Sequence, residues 1–328
     1  MNKVLLEISN CSECPNHYVA GIITADSFEH EVGLYCMKTR DTEDSWERHT
    51  RDGYLPYRLV ASDEWNVRKI SKIPDWCPYV AQQYRKILDY IMNDPEYLEK
   101  MHEVYERRMD DWRDGSDNGV RHAVRVANYA DQFLSQCSEL YFWKSNCYVS
   151  EKDAWLTKIA ALLHDVAIGE DDHGKIGEDY ARDYLNGMVG LSVVDVEMIA
   201  KAISEHSHGE RLETMVDAAL CLADKMDVSE LRVRKDVSEM DLTPMLREMQ
   251  KIERVEYAIL AEGREPYGAE LRYETAEDFK VTKLREWPEC VTVPRMITKE
   301  FLKLRSFSFI VNGERIDIRR LTKKYKYQ

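Results

Sequence analysis

Ala160-Ala161-Leu162-Leu163-His164-Asp165-Val166-Ala167 sets a histidine and an aspartate side by side at the end of an apolar run. An unpaired carboxylate is costly to bury there, so the pair needs a partner, and a metal ion is one that both side chains can share. Working outward, four more residues fall in line with the apolar stripes of their own predicted helices. In a helix over 119–133, His122 is followed by Val126, Tyr129 and Phe133 at i+4, i+7 and i+11, so its imidazole points toward a core. His173 precedes Ile176, Gly177, Tyr180 and Tyr184 at helical spacing. His206 closes a helix over 193–206 in line with Val196, Ile199 and Ile203, and Asp224 sits in 216–228 beside Leu220 and Cys221. A lone histidine on such a stripe is more often a hydrogen-bonded core residue than a ligand. Four imidazoles and two carboxylates together are better explained by a joint metal site.

The order His122, His164-Asp165, Asp224 on successive helices resembles the HD superfamily of metal-dependent phosphohydrolases, over about a third of the chain, 117–227. His173, in His-Gly-Lys-Ile-Gly-Glu-Asp-Tyr-Ala, and His206, in Ala-Ile-Ser-Glu-His, match the two extra histidines of the branch that holds two metals. That branch includes bacterial enzymes that split diadenosine tetraphosphate symmetrically and a few di-iron oxygenases. The resemblance implies that His122, His164, Asp165 and Asp224 bind one metal, and that a bridging Asp165 binds a second with His173 and His206. It implies two divalent transition metals (iron, manganese, cobalt, nickel or zinc) with a hydroxide between them, Asp165 and His164 at the catalytic centre, and hydrolysis of a phosphoester or phosphoanhydride in a small nucleotide-type substrate. Two alternatives use the same ligands or the same fold: a di-iron oxygenase, and a non-catalytic module that senses a ligand or scaffolds a complex. One departure bears on the substrate. Many members read His-Asp-x-x-Lys, and here Ile168 takes the position of a phosphate-contacting lysine. Lys175, Lys225 and Arg232, with Arg234 and Lys235, are the cations placed to replace it.

The remaining chain frames this centre. The expected fold is mainly α: a central all-helical HD domain over 79–240, a small β-rich cysteine module over 1–78 and an α+β appendage over 241–328. Its 328 residues, 32% charged and 44% hydrophobic, have the composition of an ordinary globular protein. No apolar run approaches the roughly 18–20 residues a spanning helix needs, and the N-terminal Met-Asn-Lys-Val-Leu-Leu-Glu breaks too soon for a signal peptide, so a cytoplasmic protein without membrane partners is expected. A net charge of −14 argues against nucleic acid as a partner while leaving room for a small anion held by dications. The oligomeric state is not encoded in any motif.

Cys11, Cys14, Cys36 and Cys77 all precede residue 80, and Cys11-Ser-Glu-Cys14-Pro15 has the spacing of two thiolates on one ion. With Pro74-Asp75-Trp76-Cys77-Pro78, the segment resembles small bacterial and phage modules that open with Cys-x-x-Cys-Pro and close with Pro-x-Trp-Cys-Pro; the four cysteines, with His17 and His30 as substitutes, are candidate ligands of a structural zinc, and free thiols in a β-rich domain are the alternative. Strands are expected at 18–24 and 32–37. Residues 78–113 read as helical, as does 229–239, and His208 falls off the stripe of His206. Further on, hairpins are expected at 255–273 and at 307–318 turning on Asn312-Gly313, a strand near 279–284 and a helix over 295–304.

Overall fold

The computed structural model describes the strand backbone of residues 17–23, 30–40, 49–50, 53–54 and 57–62, and then residues 78–322 apart from 110–112, 141–146, 148, 208 and 210. The chain divides into two compact units, Met1–Gln83 and Tyr84–Gln328. In the first, β1 (His17–Ile23), β2 (His30–Arg40), β3 (His49–Thr50), β4 (Gly53–Tyr54) and β5 (Tyr57–Ser62) form an antiparallel sheet in the order β4-β3-β1-β2-β5. β1 pairs with β2 from His17↔Cys36 to Ile23↔His30, so both expected strands fall in this hairpin. Cys11, Cys14 and Cys77 lie outside the described residues, and of Cys36, His17 and His30 only the backbone is described.

Helices α1 (Pro78–Ile91) and α2 (Pro95–Glu106) replace the single helical stretch expected over 78–113. The break follows from Pro95, which biases Asp94 away from the helical region (φ −74°, ψ 118°) and lets its carboxylate accept from the Glu96 N–H. Then come α3 (Val120–Ser138), α4 (Glu151–Leu163), α5 (His173–Leu185), α6 (Val193–Glu205) and α7 (Met215–Met226). Every residue of α7 is buried, so it is the central helix, and Ala218, Ala219 and Ala223 let α3, α4 and α6 pack closely on it.

Three of these helices begin with the same device. Ser150/Asp153, Ser192/Asp195 and Thr214/Asp217 are capping boxes: the hydroxyl accepts from the N3 backbone and the N3 carboxylate accepts from the cap N–H, worth about 1 kcal/mol per cap. Lys152 Nζ, in the first turn of α4, lies 2.6 Å from the Asp195 carboxylate in the first turn of α6, which sets these two starts side by side. Helices of 13, 13 and 12 residues started this way bring their C-terminal ends to a common place. Those ends carry His164, His206 and Asp224.

The segment over 229–239 is not a helix beyond a 3-10 turn at Glu230–Arg232. Its backbone pairs instead with the loop before α3: Asp117 N–H donates to Arg232 O (2.6 Å), Arg234 N–H to Gly115 O (3.0 Å), and Ser116 bridges Val233. Beyond it lie α8 (Pro244–Met249), β6 (Ile252–Glu262), β7 (Glu265–Thr275), α9 (Glu289–Met296), β8 (Ser306–Val311), β9 (Glu314–Ile316) and α10 (Arg319–Thr322). The strands form one sheet in the order β6-β7-β8-β9, antiparallel except for β7 with β8. Both expected hairpins are present, the second turning on Asn312 (φ 49°) and Gly313 (φ 82°), the pair of positive φ values that a tight hairpin turn requires. Two local expectations are corrected. Residues 279–284 form no strand, a 3-10 helix beginning instead at Val281 (Val281–Glu286), and the late helix starts earlier, at Glu289, and loosens into a π turn at Ile297–Phe301 after Pro294 removes a donor.

No helix among the described residues is long and apolar enough to cross a membrane. The sheet is anchored on α3. The Gln136 amide donates to Tyr257 O and accepts from Ile259 N–H, both at 2.9 Å, and Phe133 packs edge-on against Tyr257.

Candidate metal centre

A helix C-terminus leaves carbonyls to be satisfied, and at α4 they are satisfied by the site itself. His164 Nδ1–H donates to Ala161 O (2.8 Å), and the Tyr97 hydroxyl of α2 donates to Leu162 O (2.7 Å). α6 ends the same way, with His206 Nδ1–H donating to Ile203 O (2.5 Å). In both rings the proton is therefore on Nδ1, and Nε2 presents a lone pair. His122, near the start of α3, donates from Nδ1 to Asp227 Oδ2 (2.6 Å).

These Nε2 atoms converge on Asp165. His122 Nε2 lies 3.3 Å from Asp165 Oδ2, 3.4 Å from Asp224 Oδ1 and 3.1 Å from His164 Nε2. His206 Nε2 lies 3.6 Å from Asp165 Oδ1. The imidazoles of His122, His164, His206 and His173 form a string with successive ring centroids 5.0, 5.0 and 5.3 Å apart. Two groups of ligand atoms result, His122/His164/Asp165/Asp224 and Asp165/His173/His206, each with all its atoms within 4.8 Å of one another. Asp165 is the residue they share.

The donor set fits a cation. Asp165 Oδ2 is buried without a hydrogen-bond partner although two imidazoles face it, the kind of orphaned atom that folded proteins avoid. Three helix C-terminal ends, each carrying partial negative charge, meet at the same point. Burial pulls the His122 pKa down, as does Arg232, but the three carboxylates beside it, Asp165, Asp224 and Asp227, outweigh both and push it to about 9. A positive charge is thus wanted at this spot, and a proton on His122 is what supplies it when nothing else does. Burial alone would raise Asp165 and Asp224; the neighbouring groups, His164, His122 and His206 for Asp165 and Lys225 with His122 and His164 for Asp224, hold both well below the carboxylate range. Burial depresses His164, and burial with the His206 charge takes His173 down to about 4. Ionised carboxylates and neutral imidazoles are the forms that bind metal.

His173 reaches the cluster by a route other than its predicted stripe. Ile176 is exposed, and the buried face of α5 runs instead through Gly174, Gly177, Ala181 and Leu185. What places His173 is its position as the first helical residue after Asp172, which adopts a left-handed conformation (φ 55°), together with a close approach of α5 to α6. A Cβ on Gly174 would sit 2.8 Å from the Ser204 carbonyl oxygen, a backbone atom that cannot swing aside. Gly174→Ala should therefore push the start of α5 off α6 and lower affinity at the Asp165/His173/His206 group by about tenfold or more while sparing the other group, as metal titration would show; unchanged binding at both would refute the role given to this approach.

The cations sort differently. Arg232 is buried, its guanidinium against the His122 ring, donating to Asn118 Oδ1 (2.6 Å) and 4.0 Å from Asp165 Oδ2. Lys225 is buried too, but its ammonium donates to Asp224 Oδ2 (2.7 Å), which leaves Oδ1 toward the cluster. Lys175 is exposed and paired with Glu178 and Asp179 outside the ligand groups. Arg234 lies over the Tyr105 ring and pairs with Asp236. Ile168 is buried against Val104 and Met109, so the backbone aims this position into the core rather than at the ligands. His208 lies outside the described residues.

Sequence reasoning passed over Asp227, Arg125, Asn118 and Ser207. Asp227 is fully buried and gripped by Arg125, Nε to Oδ1 at 2.9 Å and Nη2 to Oδ2 at 3.0 Å, while it orients His122. Its signal was available: it stands one helical turn beyond Asp224, as Arg125 stands one turn beyond His122.

The HD domain family model matches residues 119–267. Among solved structures, one described as a predicted HD superfamily hydrolase from an uncultured Thermotogales bacterium is similar at 21% identity, covering 50% of this chain and 90% of that one, with a TM-score of 0.30. No curated protein matches the sequence. The segment that bears all six candidate ligands is the segment that matches the HD domain.

Proposed function

We propose that this chain is a metal-dependent phosphohydrolase acting on a small, nucleotide-type phosphoester or phosphoanhydride. The observation that carries the reading is Asp165 Oδ2, a buried ionised oxygen without a hydrogen-bond partner, facing imidazole nitrogens whose other ring atoms are already committed. The HD domain match over the same residues supports it. In this reading His122, His164, Asp165 and Asp224 hold one divalent transition metal and Asp165, His173 and His206 a second. Such ions supply Lewis acidity toward phosphoryl oxygens and a water activated near neutral pH.

The chain's own residues do the rest. Asp227 and the Ala161 and Ile203 carbonyls fix which imidazole nitrogen faces the ions. Lys225 neutralises one oxygen of Asp224 and turns the other inward. Arg232 is the buried cation closest at hand for a substrate phosphoryl group, 4.0 Å from Asp165, and takes the part that Ile168 cannot.

The test is elemental analysis of the purified protein coupled to phosphate or nucleotide release from a panel of mono- and dinucleotides with manganese, iron or cobalt added. The expected result is bound metal and metal-dependent release from at least one nucleotide, abolished by chelation. Two irons with oxygen consumption and no hydrolysis would move the centre to oxygenase chemistry; absence of both metal and turnover would leave a binding module.

A further inference from the structure

The two ligand groups differ in charge, burial and prior engagement. The first contains two carboxylates, and all four of its residues are buried. Both of its imidazoles are locked from behind, His122 by Asp227 and His164 by the Ala161 carbonyl. The second contains no carboxylate except the Asp165 it shares. Its His206 is locked through Ile203 O, but His173 is half-buried and stands at the first residue of α5, where unsatisfied N–H groups place partial positive charge.

The second group is also already spanned. Ser207 Oγ lies 2.7 Å from His173 Nε2 and 3.2 Å from His206 Nε2. The hydroxyl can donate to one nitrogen and accept from the other, so one side chain ties up the inward nitrogen of His206 and couples it to the His173 ring. An ion entering here has to displace that pair of hydrogen bonds and gains less charge in return. At the first group His122 Nε2 is engaged too, 3.1 Å from His164 Nε2 and against the Arg232 guanidinium, but there an entering ion gains the charge of a second carboxylate in return.

Resting on the metal-dependent reading above, we propose that the centre loads in two unequal steps, a tight ion at His122/His164/Asp165/Asp224 and then a weak, exchangeable ion at Asp165/His173/His206, with Ser207 holding the second step back. The number of ions carried then varies with the metal available rather than being fixed by folding. The Ser207 hydroxyl, not the six ligands, sets where that change occurs.

Calorimetric titration of the metal-stripped full chain with Mn²⁺ tests this. Wild type should show two steps separated by at least about tenfold in Kd, as expected when one site has an additional ionised carboxylate. Ser207→Ala should tighten the second step by about threefold to tenfold, the worth of one net hydrogen bond, and leave the first unchanged. Ser207→Thr, which keeps the hydroxyl, should behave as wild type. Two equal steps in wild type, a single step at every Mn²⁺ concentration, or a second step indifferent to Ser207→Ala would overturn the proposal. No Mn²⁺ uptake at all would instead overturn the metal-dependent reading on which it rests.

Discussion

Asp165→Ala should abolish binding of both ions and leave less than about a thousandth of wild-type hydrolysis, since losing Lewis-acid stabilisation worth several kcal/mol costs a factor of ten for each ~1.4 kcal/mol. The size of the effect comes from position: Asp165 belongs to both ligand groups, and no other residue does. The same substitution should also weaken the metal-free fold. The neighbours that hold the Asp165 carboxyl well below its usual range stabilise its ionised form, and its loss leaves His122 and the buried Arg232 less compensated, so the stripped variant should melt below the stripped wild type. Elemental analysis and thermal melts, with and without chelator, separate the two effects. Retention of two metals by the variant would reject the shared role, and an unchanged or raised metal-free melting temperature would reject the view that this carboxylate compensates the cationic groups around it.

Asp227 carries the second large effect, and there too stability and metal binding move together. Asp227→Ala leaves the Arg125 guanidinium, 16% exposed, with a looser pairing to Asp117 at 3.6 Å, and removes the acceptor of His122 Nδ1–H. Breaking a buried ion pair from one side costs about 3–5 kcal/mol, so this variant should lose a large part of its folding stability in denaturant titrations. Asp227→Asn keeps an oxygen for His122 and most of the packing while removing the charge. It should fold, and bind metal about 10–100-fold more weakly, the usual cost of altering a partner behind a ligating histidine. An asparagine variant with wild-type metal affinity would show that the Asp227 charge has no part in setting how strongly His122 binds.

How far the sequence discloses this arrangement depends on what each residue does. The six inward-facing side chains are legible because a helix writes its buried face as a period, and polar residues on that face are conspicuous. That logic works for His122 and Asp224, whose neighbours Val126, Leu220 and Cys221 are buried as the spacing implies. For His173 it names the right residue by the wrong face: Ile176 is exposed, and the residue owes its place to a left-handed Asp172 and a glycine contact that periodicity does not contain. The capping boxes at Ser150, Ser192 and Thr214 were readable as Ser/Thr-x-x-Asp and fix where three ligand-bearing helices begin. The pairing of Val233 with Ser116 was not readable, since a charged run such as 229–239 satisfies helical spacing equally well until a distant strand segment competes for its backbone. Arg125, Asn118 and Ser207 stay hidden for a related reason: nothing in their spacing says which buried group they will meet.

Helix α3 holds His122 and Arg125 near one end and Gln136, which is bonded to the β6 backbone, near the other. Along an α-helix, fourteen positions amount to about 21 Å, and each residue turns the chain by about 100°. A single inserted or deleted residue between the two ends would leave the helix intact and yet swing one end's partners out of reach of the other's. Change in chain length is therefore barred from this stretch even where change of residue type on its outer face is tolerated, and relatives of this protein that share both attachments should show an ungapped α3 whatever the lengths of their loops.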